Sequence, residues 1–260
     1  MREVGLERAI EAVGGVGALA RALGVSQPAV STWRRIPAER VLAVEAATGV
    51  SRTALRPDLY PASDPPDGVE ADEIDLLRAR EYGLLAVLLG RAPTREVLGG
   101  LSGLKGDASP LGLAHIALAE AARTAEPERV SREFFDLFVG LGQGELLPYA
   151  SYYLTGFLQQ RPLARVREDL GRLGIERAED HREPEDHAAI LCEVMAGLCA
   201  GRFDAEPGED RRFFERHLQP WAARFFADLE TAEGARFYRA VGLVGRAFVE
   251  IEAEAFGMDA

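Results

Sequence analysis

This chain of 260 residues is poor in the residue types that carry most enzyme and metal chemistry. It has two cysteines, four histidines and a single lysine, Lys105, against 29 arginines. Cys192 and Cys199 lie seven apart in a helical pattern, roughly 10 Å along one face, too far for a disulfide within that helix. Two cysteines and four scattered histidines make no zinc pattern, so the cysteines read as small buried apolar side chains. The near-absence of lysine reflects base composition and carries no functional inference. No apolar run approaches the ~18–20 residues that span a bilayer, so no membrane insertion is expected. The start, Met1 to Glu7, has no signal-peptide apolar region, and a cytoplasmic location is expected. Strand-like alternation bounded by turns is also missing.

What is present is a core and an uneven charge. Apolar residues make up 47% of the chain, enough to fold as one large domain or two modest ones. The net charge is −12. Residues 1–60 carry eight arginines against six acids, a net of +2, which leaves −14 for the other 200 residues. A mildly basic head on an acidic body suggests two modules with different partners. Any nucleic-acid contact must come from the head, because the body repels phosphate.

In the head, Leu6, Ile10 and Val13 fall at helical spacing and Gly14-Gly15 breaks the helix. Val16 to Leu23 forms a second helix, and Gly24 supplies the left-handed residue of a tight turn. Ser26 is placed as an N-cap and Pro28 in the first turn of a third helix. Val30 and Trp33 should face inward. Gln27, Ala29, Ser31 and Thr32 are left outward for base edges, and Arg34 and Arg35 for phosphates. The segment Gly17 to Arg35 resembles the helix-turn-helix of Cro-like and YdaS-like regulators. A further helix from Val41 and a closing Arg56-Pro57-Asp58 turn extend the likeness over residues 4–60. The resemblance implies binding of double-stranded DNA through residues 1–60. One such unit binds weakly, so useful specificity calls for a homodimer.

Residues 61–72 hold three prolines, one glycine, four acids and no base. They read as an extended linker of about 35 Å at the polyproline rise. The domain boundaries expected are therefore 1–60 for the head, 61–72 for the linker and 73–260 for the body.

The body repeats at the helical period throughout. A first helix covers about Glu73–Leu89, with an apolar set of Ile74, Leu77, Tyr82, Leu85, Leu88 and Leu89. Thr94 caps a second, Ser109-Pro110 starts a third and Pro127 a fourth, with Phe134, Phe135, Leu137, Phe138 and Leu141 inward. Later helices are expected at about 162–173, 184–203, 210–229 and 232–256. The fold class is all-α, with eight or so helices in the body. Gly140, Gly142 and Gly144 follow a helix rather than a strand, so they end it rather than cradle a phosphate.

Two clusters stand out. Tyr149, Tyr152 and Tyr153 put half the tyrosines of the chain within five positions. They are either core residues or a docking surface with large area and few rotamers. The second cluster is Glu183-Pro184-Glu185-Asp186-His187. Pro184 suits the first position of a helix, with Glu183 at its N-cap and Asp186 near the third position, where a carboxylate favours the free amides. His187 beside Asp186 could form a titrating pair. Asp186, His187 and His181 converge too poorly for a metal site, and no Ser or Cys sits in a nucleophile motif. Neither catalysis nor a cofactor is expected.

Glu183-Pro184-x-Asp186-His187 with Glu193-x-Met195, Pro148-Tyr149-x-Ser151-x-Tyr153 upstream and His217 to Trp221 downstream resemble the TorD/DmsD/NarJ-type chaperones of molybdenum-containing oxidoreductases. The likeness extends over about residues 72–256. It implies an all-helical domain that binds the molybdoenzyme catalytic subunit or its twin-arginine signal peptide. Tyr149, Ser151, Tyr152, Tyr153, Glu183, Pro184, Asp186 and His187 would line or support that site. The reading that competes is a transcriptional regulator whose helical body senses a small molecule or protein.

Overall fold

The computed structural model describes residues 3–37, 40–50, 55–56, 73–175 and 183–258. The chain divides into two compact units, Met1–Asp64 and Pro65–Ala260. The proline-rich stretch 61–72, Pro57, Asp58 and His181 lie outside the described residues.

The first unit contains α1 (Val4–Ala12), α2 (Val16–Ala22), α3 (Gln27–Ser31) and α4 (Val41–Thr48). Gly14 and Gly15 both take positive φ between α1 and α2. After α2, Gly24 sits at φ 64°. The amides of Gly24 and Val25 return to the carbonyls of Arg21 and Ala20 at 3.2 and 3.0 Å. That pairing closes α2 and reverses the chain, and only a left-handed residue allows it without strain. Leu6, Leu19, Val30, Ile36, Val41, Val44 and Leu55 form the core, with Trp33 packed against it. Ser26 stands at the N-cap of α3, but its side chain makes no capping bond.

The second unit begins with α5 (Glu73–Gly90), α6 (Arg95–Leu101), α7 (Pro110–Thr124) and α8 (Pro127–Phe134). A π-helical turn, Phe135–Val139, extends α8. Then come α9 (Ala150–Thr155), α10 (Arg161–Arg172), α11 (Ala188–Cys199), α12 (Glu209–His217), α13 (Ala222–Thr231) and α14 (Phe237–Met258). Every named element is helical, and the fold is all-α. No described helix is long and apolar enough to cross a membrane. Thr94 and Ser109 cap α6 and α7 by accepting from the amides of Val97 and Gly112 at 3.3 and 3.1 Å.

One core runs through the second unit, with α11 packed along α5 and α14 packed on both α13 and α7. Gly242 and Gly245 of α14 let it approach α13 closely. A Cβ at Gly245 would lie 2.2 Å from the Phe226 ring. Cys192 and Cys199 are buried free thiols, and burial pushes both pKa values up to about 12.

The register departs from the expected one at four places. The apolar set on α5 buries Tyr82, Leu85, Leu88 and Leu89, while Ile74 and Leu77 at its start are exposed. Leu137 is buried, but Phe135 and Leu141 face solvent, Leu141 being 99% exposed. The helix ends in a π turn, where Gly140 N donates to Phe135 O at 2.7 Å, an i→i+5 bond, so Leu141 falls in the bend beyond it rather than on the helical stripe. The span 210–229 is two helices, α12 and α13, because Pro220 lacks the amide a continuous helix needs. The helix foreseen from Ala232 starts at Phe237, because the Glu133 carboxylate caps it there. That carboxylate accepts from the amides of Arg236, Phe237 and Tyr238 at 2.8, 3.2 and 2.7 Å.

Candidate functional site

The Glu183–His187 segment precedes a helix rather than opening one. Pro184 to Asp186 form a turn closed by His187 N on Pro184 O at 3.0 Å. The chain then pairs with the segment before α9. Ala150 N donates to Asp186 O at 3.0 Å and Ala188 N to Pro148 O at 2.8 Å, an isolated antiparallel bridge between Tyr149 and His187. These bonds use backbone groups that a helix starting at Pro184 would need, so α11 starts at Ala188.

His187 is therefore the N-cap of α11, its Nδ1 accepting from Ala189 N at 3.1 Å. That role requires Nδ1 to be unprotonated. The ring meets Tyr149 edge-on at 5.0 Å. Glu183 is not a cap. It is exposed and accepts a hydrogen bond from the Tyr149 hydroxyl. Burial and this carboxylate together raise the Tyr149 pKa.

Asp186 is a cap, but of a different helix. Its Oδ2 accepts from Ser151 N at 2.8 Å, in the first turn of α9, 35 residues upstream in sequence. Asp186 is fully buried, and its Oδ1 accepts no hydrogen bond among the described residues. Ser151 is fully buried too, and its hydroxyl accepts from Gln159 N at 3.2 Å. Gln159 holds a left-handed φ of 58°, so this bond anchors a loop against its local preference. Asp186, His187 and Ser151 thus build the wall behind the tyrosines and do not face solvent. Pro184 and Tyr149 are half-buried.

Tyr152 and Tyr153 lie on the outer side. Tyr153 donates to Asp228 Oδ2 at 2.9 Å, and its ring packs on Trp221 and Phe225 at 5.4 and 5.8 Å. Burial, then Asp228, raises its pKa. Tyr152 meets Tyr153 edge-on at 5.9 Å. A cavity of about 330 Å³ opens beside them, with Glu145, Leu154, Arg224 and Asp228 also in its wall. Leu154, Phe157 and Leu158 extend exposed apolar surface along the same segment, Phe157 at 70% exposure. Sequence reading missed Arg224 and Asp228. Their spacing of four on one face of α13 was the signal available, and nothing local tied it to the tyrosines.

Behind this wall, His217 donates to Asp169 at 2.6 Å, and Trp221 Nε1 donates to His217 O at 2.6 Å. Burial holds the His217 pKa below its usual value despite the carboxylate. Burial opposes ionisation of Asp169, but Arg172 and His217 outweigh it and keep its pKa low. The pair is a structural tie between α10 and α12, shut off from solvent.

In the first unit, Gln27, Ser31, Thr32, Arg34 and Arg35 are exposed, and Ala29 is half-buried rather than outward. Thr32 donates back to Ala29 O at 2.7 Å. Arg34 and Arg35 stand in a bend beyond α3, and Arg35 pairs with Glu3 at 3.3 Å.

Residues 104–227 match the family model described as nitrate reductase delta subunit. Residues 6–63 match the model described as bacterial toxin YdaS. The chaperone protein TorD of Vibrio atlanticus is 27% identical over 48% of this chain and 63% of its own length. The TorD of Shewanella loihica is 25% identical over 69% of this chain and 93% of its own. The chain spans about six tenths of the length of the Vibrio and Aliivibrio relatives it matches. A crystal structure of a redox enzyme maturation protein from Archaeoglobus fulgidus aligns at TM-score 0.46 and 22% identity, covering 66% of this chain and 93% of that one. The chain thus joins a first unit similar to the YdaS family to a helical second unit similar to the TorD chaperones and the nitrate reductase delta subunits.

Proposed function

We propose that the second unit is an assembly chaperone for a molybdenum-containing oxidoreductase. It holds the client's twin-arginine signal peptide or apoprotein in the cytoplasm and does no chemistry of its own. The observation that carries this is the surface at α9, where Tyr152, Leu154, Phe157 and Leu158 are exposed beside a cavity walled by Asp228 and Glu145. Aromatic and aliphatic area next to carboxylates suits an extended, apolar, arginine-bearing segment. Tyr149, Ser151, Glu183, Pro184, Asp186 and His187 hold that surface in place. Similarity to proteins named as TorD chaperones favours the same reading.

The first unit is the DNA-binding partner in this proposal, reading bases with α3 and phosphates with Arg34. The fusion then couples client status to transcription. A regulator that senses a metabolite in the 330 Å³ cavity is the competing function. Affinity capture of the tagged full chain from its native host separates the two. Recovery of a molybdoenzyme catalytic subunit, lost in Tyr152→Ala with Phe157→Ala, is the expected result. A co-purifying metabolite with no such subunit overturns the chaperone reading.

A further inference from the structure

The cavity beside Tyr152 and Tyr153 carries two carboxylates and one cation, Arg224. Glu145 has both oxygens engaged, accepting from the amides of Glu233 and Gly234 at 2.7 and 3.0 Å. It contributes negative potential rather than a free hydrogen-bonding edge. Asp228 differs. Its Oδ2 takes the Tyr153 hydroxyl at 2.9 Å, and its Oδ1 accepts no hydrogen bond among the described residues. Arg224 lies one turn before Asp228 on α13, a spacing at which opposite charges commonly pair. Here they do not form an ion pair. The Arg224 guanidinium instead sits over the Tyr153 ring, its carbon 5.6 Å from the centroid. The chain itself thus places a guanidinium on this ring, next to a carboxylate with an unused oxygen.

We infer that this cavity is a subsite for one arginine side chain of an extended peptide, with Asp228 as its anionic partner and the Tyr153 ring as its platform. The inference rests on the peptide-binding reading above. A planar guanidinium can stack on the ring while its edge donates to Asp228, which a point-charge ammonium does less well. Arg224 is the internal stand-in: it occupies part of the platform and must move aside or share it. It is exposed, on the solvent side of α13, so it is free to do so. The two carboxylates leave the wall with one net negative charge, which the incoming arginine neutralises.

Calorimetric titration of the full chain with a blocked twelve-residue apolar peptide carrying one central arginine tests this, against the same peptide with citrulline. Citrulline keeps the shape and removes the charge. The arginine peptide is expected to bind about tenfold tighter, the size of one solvent-screened charge-assisted hydrogen bond. Asp228→Asn should erase that difference and leave citrulline binding unchanged. Arg224→Ala should tighten arginine-peptide binding several-fold, by removing the competitor. Because Arg224 is exposed, this second variant carries the test even if Asp228→Asn folds poorly. Equal affinity for the two peptides overturns the arginine subsite and leaves peptide binding standing, as does Arg224→Ala with unchanged or weaker binding. Binding of neither peptide overturns both.

Discussion

Asp186 carries more structural weight than its place in the chain suggests. Local spacing marks it as a helix-start carboxylate, and it is one. The helix it serves is α9, reached across the bridge between Tyr149 and His187. Its burial is complete, so removing it leaves the Ser151 amide without its acceptor. Asp186→Ala is expected to lower stability by about 1–3 kcal/mol, the range for a lost N-cap and an unsatisfied buried amide. Asp186→Asn keeps an acceptor and should lose less. Urea denaturation followed by helical circular dichroism measures both. Wild-type stability in Asp186→Ala, combined with lost client binding, would instead make Asp186 a direct contact. The segment reads from sequence as a cap because Pro and Asp have local meanings. Which amides Asp186 meets is not local, and so was not legible.

Helix ends in this protein are closed in two ways, and they differ in how well a sequence reveals them. Thr94 and Ser109 cap their own helices three residues on, and both read directly. Glu133, Glu145 and Asp186 close helix starts or turns belonging to other elements. A carboxylate at a helix N-terminus is favoured wherever it comes from in the chain. Such non-local caps move boundaries, as at Phe237. Close helix approach is similarly hidden. α14 meets α13 across Gly242 and Gly245, which look like poor helix formers in sequence. Gly245→Ala gains about 1 kcal/mol of helix propensity. It also drives a methyl into the Phe226 ring, an overpacking of about 1–3 kcal/mol or more. Net destabilisation is expected, seen as a lower thermal midpoint. A raised midpoint would mean that α13 and α14 can separate without loss.

The whole molecule is divided by charge as well as by fold. Residues 1–60 are net +2 on a chain of −12. That excess is small, so non-specific DNA affinity should be weak, with a shallow salt slope set by few phosphate contacts. Arg34→Ala is expected to weaken DNA binding across all sequences and lower the salt slope by about one, the loss of one phosphate contact. Arg35→Ala should do less, because Arg35 already pairs with Glu3. Electrophoretic mobility shifts at several salt concentrations measure both. Absence of sequence-selective binding at moderate salt, with the first unit folded, overturns the DNA reading.

By itself the sequence determined the helical class, the basic head and acidic body, the turn at Gly24, the caps at Thr94 and Ser109 and the two residue clusters. Each of these depends on neighbours within a turn or two of helix, where propensity and periodicity act. Only the tertiary structure decided that Ser151, Asp186 and His187 form a buried wall. It alone set Arg224 and Asp228 beside Tyr153 and started α14 at Phe237 on the Glu133 carboxylate. Those outcomes come from hydrogen bonds and ring contacts between residues 35 to 105 positions apart. Packing geometry selects such pairs, and no local pattern encodes them.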